Sequence, residues 1–514
     1  MTTLATYVVE VDWNNDGDFG DSNENVTGDA IRIRQMSLGR SFASPLTGTS
    51  IAGKLVVDLR NDDNKYSPTN GSSALTGLIK PGRKVQVRTT APSSATLWVG
   101  FLDDIKPKIK SDRSKIATLT ATGPLGYINE KRIRVDMETN ITTGAAAALI
   151  LTDAGWPGGD RDLDTGQTTM ARWWVEETRA LAALRELEAS EGGFLREKPD
   201  GDIAFEDRHH RFKSPATVSQ ATYTDNNPAA GGEILYSAPI NQDDPNKLIF
   251  NEFRSPIRIF AVGSLAVLWT HPETGASSPL IPAASSLTFW AGYPNPQSGN
   301  NSVAVDAWTT PASTTDFTGN AAADGSGTNM TSNLSVSVTK YARAMQITVA
   351  NDSTSSGAYL TKLQARGTPV TEADPGLVSA EDATSQTAHG KRTFPRTRSA
   401  TWVSDSGEAL DWCNFHIGIY KDPTVLLELA FNANRDSDHM AEALARQVSD
   451  RVTVEANNTS GFGINDAFFV EKINHRVDPG RLHTVSLWLS PASAWSGFWV
   501  LNTSKLDTET RIAY

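Results

Sequence analysis

Along most of the chain, apolar and polar positions alternate with a period near two. The runs IAGKLVVDLRN (51–61), RKVQVRTT (83–90), TLWVGFLDDIKPKI (96–109) and KIATLTATG (115–123) lie between Gly, Pro, Asn and Asp turns. Short strands at that spacing predict an antiparallel barrel or sandwich over 1–135. Near 140 the pattern changes. TTGAAAALILTDAGW (142–156) has no turn residue from Ala145 to Leu151, which predicts a helix capped at Thr142 or Thr143 and ended by Gly155. In TTMARWWVEETRALAALRELEASEGG (168–193), Met170, Trp173, Trp174, Leu181, Leu184 and Leu187 fall at helical steps. They predict one long helix stopped by Gly192-Gly193. Two strand-like runs joined by KPDG follow and predict a hairpin. Segment 136–235 therefore reads as a small α+β domain.

KLIFNEFRSPIRIF (247–260) returns to strand character. From 263 to 395 Ser, Thr, Ala, Gly and Asn dominate, yet Val, Ile and Leu still alternate over 333–349. That regularity predicts a β-sandwich-like insertion rather than a disordered linker. Beyond 396, SGEALDWCNFHIGIY (406–420) and DSDHMAEALARQVSDRV (436–452) predict helices among the strands TVLLELAFN, AFFVEKINHRV and LHTVSLWLSP. Residues 491–514 read as a C-terminal tail. The fold class is thus mainly β with α+β elements, in several domains.

Composition narrows the function. The 514 residues are 39% apolar and 21% charged, with a net charge of −12 and a pI near 5.2. A nucleic-acid coat or a binder of anionic membranes needs basic patches, so both classes are disfavoured. Cys413 stands alone, so no intrachain disulfide can form. No basic n-region precedes an apolar run at the N-terminus, and no stretch reaches the roughly 18 apolar residues of a membrane helix. The expected product is made soluble in the cytoplasm.

Catalytic motifs are missing. There is no G-x-S-x-G, H-E-x-x-H or Walker loop. Cys413, between Trp412 and Asn414 on a predicted helix, reads as a buried structural thiol. EDRHHR (206–211) gathers Glu206, Asp207, His209 and His210, but adjacent histidines on a strand point apart, so an ion-pair cluster is expected there. A glycosidase pair of carboxylates cannot be recognised from a linear sequence. The acidic stretch DWNNDGDFGDSNE (12–24) carries more. Asp12, Asn14 and Asp16 with Gly17 occupy positions 1, 3, 5 and 6 of an EF-hand calcium loop. The second half departs, with Asn23 at position 12 and Glu24 one residue late. Two readings stay open: a solvated acidic loop with Asx-turns, or a structural Ca²⁺ site. The ligands would be Asp12, Asn14, Asp16, a carbonyl at Asp18, and Glu24 or Asp21.

Taken in order, several segments resemble a known family. VDWNNDGDFG…VTGDAIRIR, LVVDLRNDDNKYSPTN and LIKPGRKVQVR resemble the N-terminal domain of tail hub proteins (minor tail or tail-tip proteins) of long-tailed bacteriophages. DAGWPGGDRDLDTGQTTMARWW and LRELEASEGGFLREKPDGDIAFEDRHHR resemble their second domain. TTDFTGNAAADGSGTNMTSNLSVSVT and YLTKLQARGTPV resemble an insertion common among them, and DRVTVEANNTSGFGINDAFFVEKINHRVDPGRLHTVSLWLSP resembles their closing strands. The resemblance implies a hub with two related β-barrel domains, the second formed by 236–262 with 396–490. It implies a homotrimer, whose six barrels match the tail tube or distal tail protein above and whose other end meets tip or fibre proteins below. The role would be structural and not enzymatic, in the virion tail tip or baseplate, helping to close the channel before DNA ejection. DNA would pass only in transit, along an acidic or neutral bore with Arg32 and Arg34 turned to protein neighbours. Since the chain ends at Tyr514, no lytic domain is expected in cis. The alternative is a receptor- or carbohydrate-binding adsorption protein, with Trp290, Tyr293 and Trp308 of the 263–395 insertion stacking on sugars.

Overall fold

The computed structural model describes residues 3–41, 46, 48–227, 231–243, 246–273, 277–293, 302–396, 401–495, 498–499 and 511–512. Strand makes up 47% and helix 16%, so the mainly β class is as expected. Six strands come first: β1 (Thr6–Val11), β2 (Ala30–Gly39), β3 (Lys54–Arg60), β4 (Lys84–Ala91), β5 (Ala95–Ile109) and β6 (Lys115–Thr122). They pair antiparallel in the order β1-β4-β5-β6-β3-β2. Leu55, Val57, Leu59, Val85 and Val87 point inward at period two. The sheet closes on itself through the chain that leads into β2. Val11 N donates to Glu24 O (2.9 Å), Val26 N donates to Val9 O (2.9 Å), and Glu10 bridges Asn25. This seam curls the sheet into a barrel and covers the Val9–Val11 part of the β1 edge.

Then come α1 (Pro124–Asn129), β7 (Arg132–Thr142), α2 (Thr143–Asp153), β8 (Arg161–Leu163), β9 (Thr169–Arg179), α3 (Ala180–Glu191), β10 (Phe194–Glu197) and β11 (Ile203–Glu206). The β10–β11 hairpin and α2 match the sequence reading. The long helix expected over 168–193 does not form. Its first half is strand β9, antiparallel to β7, and only Ala180–Glu191 is helical. Met170, Trp173 and Val175 enter the core shared with α2 and α3 from one face of a bulged strand. The aromatic and β-branched run RWWV favours a strand, and pairing with β7 overrides its accidental helical spacing. Strand pairing with β7 from Arg132 also starts this unit earlier than residue 136.

Strands β12 (Thr222–Thr224), β13 (Ile234–Leu235) and β14 (Ser237–Asp243) do not stay with the α+β unit. They join a second barrel, so the stretch expected to end that unit at 235 belongs elsewhere. Next, β15 (Glu252–Ile257) and β16 (Phe260–Val262) leave the second-barrel stretch expected over 236–262. β16 pairs with the insertion, which comprises β17 (Ala266–His271), β18 (Leu280–Ile281), β19 (Ser285–Gly292), β20 (Ser302–Thr309), β21 (Phe317–Asn320), β22 (Leu334–Tyr341), β23 (Ala344–Asn351) and β24 (Ala358–Glu372). β24 pairs with β16, β17, β18, β20 and β21, while β19-β23-β22 form a second sheet. Met345, Ile347 and Val349 pack with Leu360, Leu363 and Ala365 between them, a sandwich core.

After β25 (Gly376–Glu381), α4 (Ala383–His389) and β26 (Thr393–Pro395), β15 lies between β25 and β26 in a small sheet. The chain ends with α5 (Ser406–Tyr420), β27 (Leu426–Asn432), α6 (Ser437–Ala445), β28 (Arg451–Ala456), β29 (Ile464–Asp478) and β30 (Leu482–Pro491). α6 stops at Ala445, short of the helix expected to 452, because Arg451 already begins β28. Most of the expected tail 491–514 lies outside the described residues. The second barrel runs β12-β28-β29-β30-β27-β14, and the chain through β13 and β14 closes it by pairing first with β12 and then with β27. One edge of β29 serves both barrels. Residues 464–469 pair with β28, and 472–477 pair with β2. The two interiors form one buried apolar cluster.

Candidate functional site

The acidic loop fills the gap between β1 and the seam of the first barrel. Trp13 is its apolar anchor: it is buried beside Tyr66, and its indole N–H donates to Asn23 O (3.0 Å). Asn15, Gly17 and Asn23 take left-handed backbone, which turns the loop tightly. The Asp12 carboxylate accepts from the N–H groups of Asn15, Asp16 (3.2 Å) and Gly17 (3.0 Å). These bonds fix its orientation. Asp12, Asp16 and Glu24 each bring an oxygen within 4.8 Å of the other two. Asn14 sits beside them, its amide nitrogen donating to Asp16 (2.9 Å) and Asp21 (2.6 Å). The Asp18 side chain turns away to accept from Gly20 N (2.7 Å), so it does not join the group. Glu24 Oε2 accepts from Asp21 N (2.9 Å), whereas its Oε1 is buried with no hydrogen-bond partner. Burial raises the pKa of Glu24 above the usual carboxylate range, helped by the charges of Asp12, Asp21 and Asp16 and opposed by the Asp21 N–H. Asp16 is lowered, chiefly by the N–H of Asp18 and then by Asn14.

Sequence reasoning missed a second polar site, where three units meet. Arg211, just after β11, donates to Glu471 of β29 (2.7 Å), and Ser490 of β30 donates to the same carboxylate (2.6 Å). Arg40, at the end of β2, reaches Glu188 of α3 (2.9 Å) and lies 3.5 Å from Glu471. Arg208 pairs with Glu408 of α5 (2.9 Å). The Arg211 guanidinium also stacks on Phe194 (4.0 Å) and Phe469 (4.4 Å). Gly39 permits this junction. Its backbone has φ +119°, and a Cβ there would lie 2.3 Å from Glu471 O. The one sequence signal was EDRHHR. It does form ion pairs: Glu206 with Arg196, His210 with Asp164 (2.8 Å) and Lys213 with Asp207 (3.1 Å). Glu408 and Glu471, 200 and 260 residues from Arg208 and Arg211, carry no local signature.

Cys413 is buried, and burial pushes its thiol up to about 11, too high for a nucleophile at neutral pH. The three insertion aromatics do not make one platform. Tyr293 and Trp308 are buried in the sandwich, and the Trp308 indole donates to Tyr341 O (2.7 Å). Only Trp290 is open, 50% exposed and stacked on Tyr341. Arg32 and Arg34 both pair with the buried Asp58, at 2.8 and 3.5 Å. Among the described residues, no helix is long and apolar enough to cross a membrane.

No family model and no curated protein matches the chain. Solved structures do. The chain is similar to a tail protein from Neisseria meningitidis MC58, at 11% identity and a TM-score of 0.49, over 96% of this chain and 98% of that one. It is similar to the 43 kDa tail protein of prophage MuSo2 from Shewanella oneidensis, at 10% identity and a TM-score of 0.46, over 95% and 99%. It is also similar to prophage tail protein gp18 from Listeria monocytogenes EGD-e, at 8% identity and a TM-score of 0.41, over 94% of each chain.

Proposed function

We propose that the chain is a structural, non-catalytic protein of a long-tailed phage, a trimeric hub that joins tail tube to tail tip and helps close the channel before DNA ejection. One observation carries this reading: a single chain bears two barrel-like sheets that share the strand β29. Three such chains around an axis place six barrels in a ring, a fit to a six-fold tube above and a three-fold tip below. Buried charge pairs among barrels, α+β unit and α5 favour a rigid joint over a moving one. The ordered sequence resemblance to tail hubs points the same way.

The net charge of −12 suits a bore through which DNA slides, since duplex DNA carries about one negative charge per 1.7 Å. Arg32 and Arg34, engaged by Asp58, do not counter that. The test is the mass of the purified protein in solution, together with its symmetry in a tail reconstruction. Three times the 55.4 kDa chain, with the two barrels alternating around a ring, is the expected result. A particle of one or six copies, or a lysine- and arginine-lined bore, overturns the reading.

A further inference from the structure

We propose that loop 12–24 is a binding site for a hard divalent cation of the calcium class, with Asp12, Asp16 and Glu24 as carboxylate ligands and Asn14 as a fourth side chain. Convergence of acidic groups is common on surfaces without any ion. Here a second observation points to a ligand. Glu24 is only 1% exposed, its carboxylate reaches into the cluster, and its Oε1 has no donor at all. Asp12, at 2% exposure, is as deeply set. A buried carboxylate is ordinarily paired with a cation or with hydrogen-bond donors. Glu10, one strand position away from the loop, follows that rule by pairing with Arg88 (2.8 Å). Among the described residues, no lysine or arginine forms an ion pair with Asp12, Asp16, Asp21 or Glu24. The cluster therefore has the oxygens of a cation site and no cation supplied by the chain.

The donor set selects the ion. Carboxylate, amide and carbonyl oxygens suit hard cations, and a flexible loop offering many of them suits Ca²⁺ better than Mg²⁺, which demands a near-ideal octahedron and keeps its waters. Asp12 is held by three backbone N–H groups, two on Oδ1 and one on Oδ2, which leaves a lone pair of Oδ2 for a ligand, and one of its oxygens lies within 4.8 Å of those of Asp16 and Glu24. The left-handed turn at Asn23 swings Glu24 inward, which compensates for its being one residue late for the usual loop. Asn14 needs only a rotation of its amide, so that oxygen replaces nitrogen between the carboxylates. A bound ion would tie the end of β1, through Asp12, to the seam strand, through Glu24, and so lock the closure of the first barrel. This proposal stands independently of the hub reading.

Trp13 makes the site measurable, because terbium in a calcium site is excited by a nearby indole. The full chain, stripped with chelator, is titrated with Tb³⁺, and then with Ca²⁺ or Mg²⁺. Calorimetry with CaCl2 gives the stoichiometry. We expect one ion per chain, terbium emission displaced by Ca²⁺ but not by a tenfold excess of Mg²⁺, and Ca²⁺ slowing protease cleavage near Gly17. Asp16→Ala and Glu24→Gln should each weaken Ca²⁺ binding at least tenfold. The Asp16 side chain is exposed, so its loss leaves the fold intact and the comparison valid. Absence of terbium emission and calorimetric heat, or an affinity unchanged in Asp16→Ala, overturns the proposal; equal displacement by Mg²⁺ overturns the assignment to calcium.

Discussion

The two barrels solve the same closure problem in opposite ways. The first is built from nearly consecutive strands between Thr6 and Thr122, and its seam lies a dozen residues beyond β1. The second takes strands from 222–243 and 426–491, with a whole sandwich inserted between. Closing a loop grows costlier only slowly with its length, so the long insertion is tolerated. Register is another matter. Short turns set it at β4–β5 and β5–β6 in the first barrel and at β29–β30 in the second, and both barrels also lean on a neighbour. The α+β unit shows this in how it grips each one. Toward the first barrel, the fully buried Glu197 of β10 accepts from Gly53 N, beside β3, and also from Leu125 N of α1, both at 2.7 Å. Toward the second, Arg211 meets Glu471 with both side chains buried. A carboxylate held by backbone dipoles is sensitive to protonation; a carboxylate held by arginine is sensitive to loss of its partner.

The largest effect is expected at the second barrel. Arg211→Ala strands Glu471 in the interior and should cost about 3–5 kcal/mol, read by chemical denaturation. A loss under about 1 kcal/mol would mean that Arg40 and Ser490 suffice, and that the two attachments do not differ as described. Next comes pH. Burial raises Glu197 from 4.5 to about 7, against the two N–H bonds. The folded pKa exceeds the unfolded one, so the protein holds a proton that the unfolded chain gives up. Stability should therefore fall as pH rises from about 4.5 to 7, by about 3 kcal/mol in all. His210, whose pKa is raised mainly by its bond to Asp164 against burial, adds a loss of the same sign as pH passes above 6.5. Only the Glu197 component should vanish in Glu197→Gln, so an unchanged pH profile in that variant refutes the assignment.

Smaller effects sharpen the contrast between loops. On the second barrel, Asp225 accepts from the N–H groups of Asn457, Asn458, Thr459 and Ser460. These bonds outweigh a contrary desolvation effect and lower its pKa from 3.8 to about 2. The stability it gives is present above about pH 3.8 and lost as pH falls through about 2. Asp225→Ala should cost about 2 kcal/mol at neutral pH, measured by thermal unfolding. That loop is satisfied by the chain alone, unlike the loop of Glu24, so its stability should not respond to chelator. The smallest effect belongs to Arg88→Ala in the first barrel. Arg88 is a third exposed, and Gln86 still donates to Glu10 (3.1 Å), so about 1 kcal/mol or less is expected. A cost equal to that of Arg211→Ala would erase the distinction between the barrels.

What the sequence determined by itself is local. Alternation set the strands of the first barrel and of the insertion, and alanine content set Thr143–Asp153. The D-x-N-x-D-G spacing placed Asp12, Asn14 and Asp16 on one turn. Each of these signals acts between residues a few positions apart, where backbone geometry fixes who meets whom. The tertiary structure decided everything that depends on distant chain meeting. It made Met170–Val175 a strand by offering β7 as a partner, and buried Tyr293 and Trp308 beneath a second sheet. It brought β2 to β29 across more than four hundred residues, and with them Arg40 to Glu471. It also left Glu24 buried with one oxygen unmet. Burial and long-range pairing are properties of a closed surface, and a linear pattern holds them only once the chain has folded back on itself.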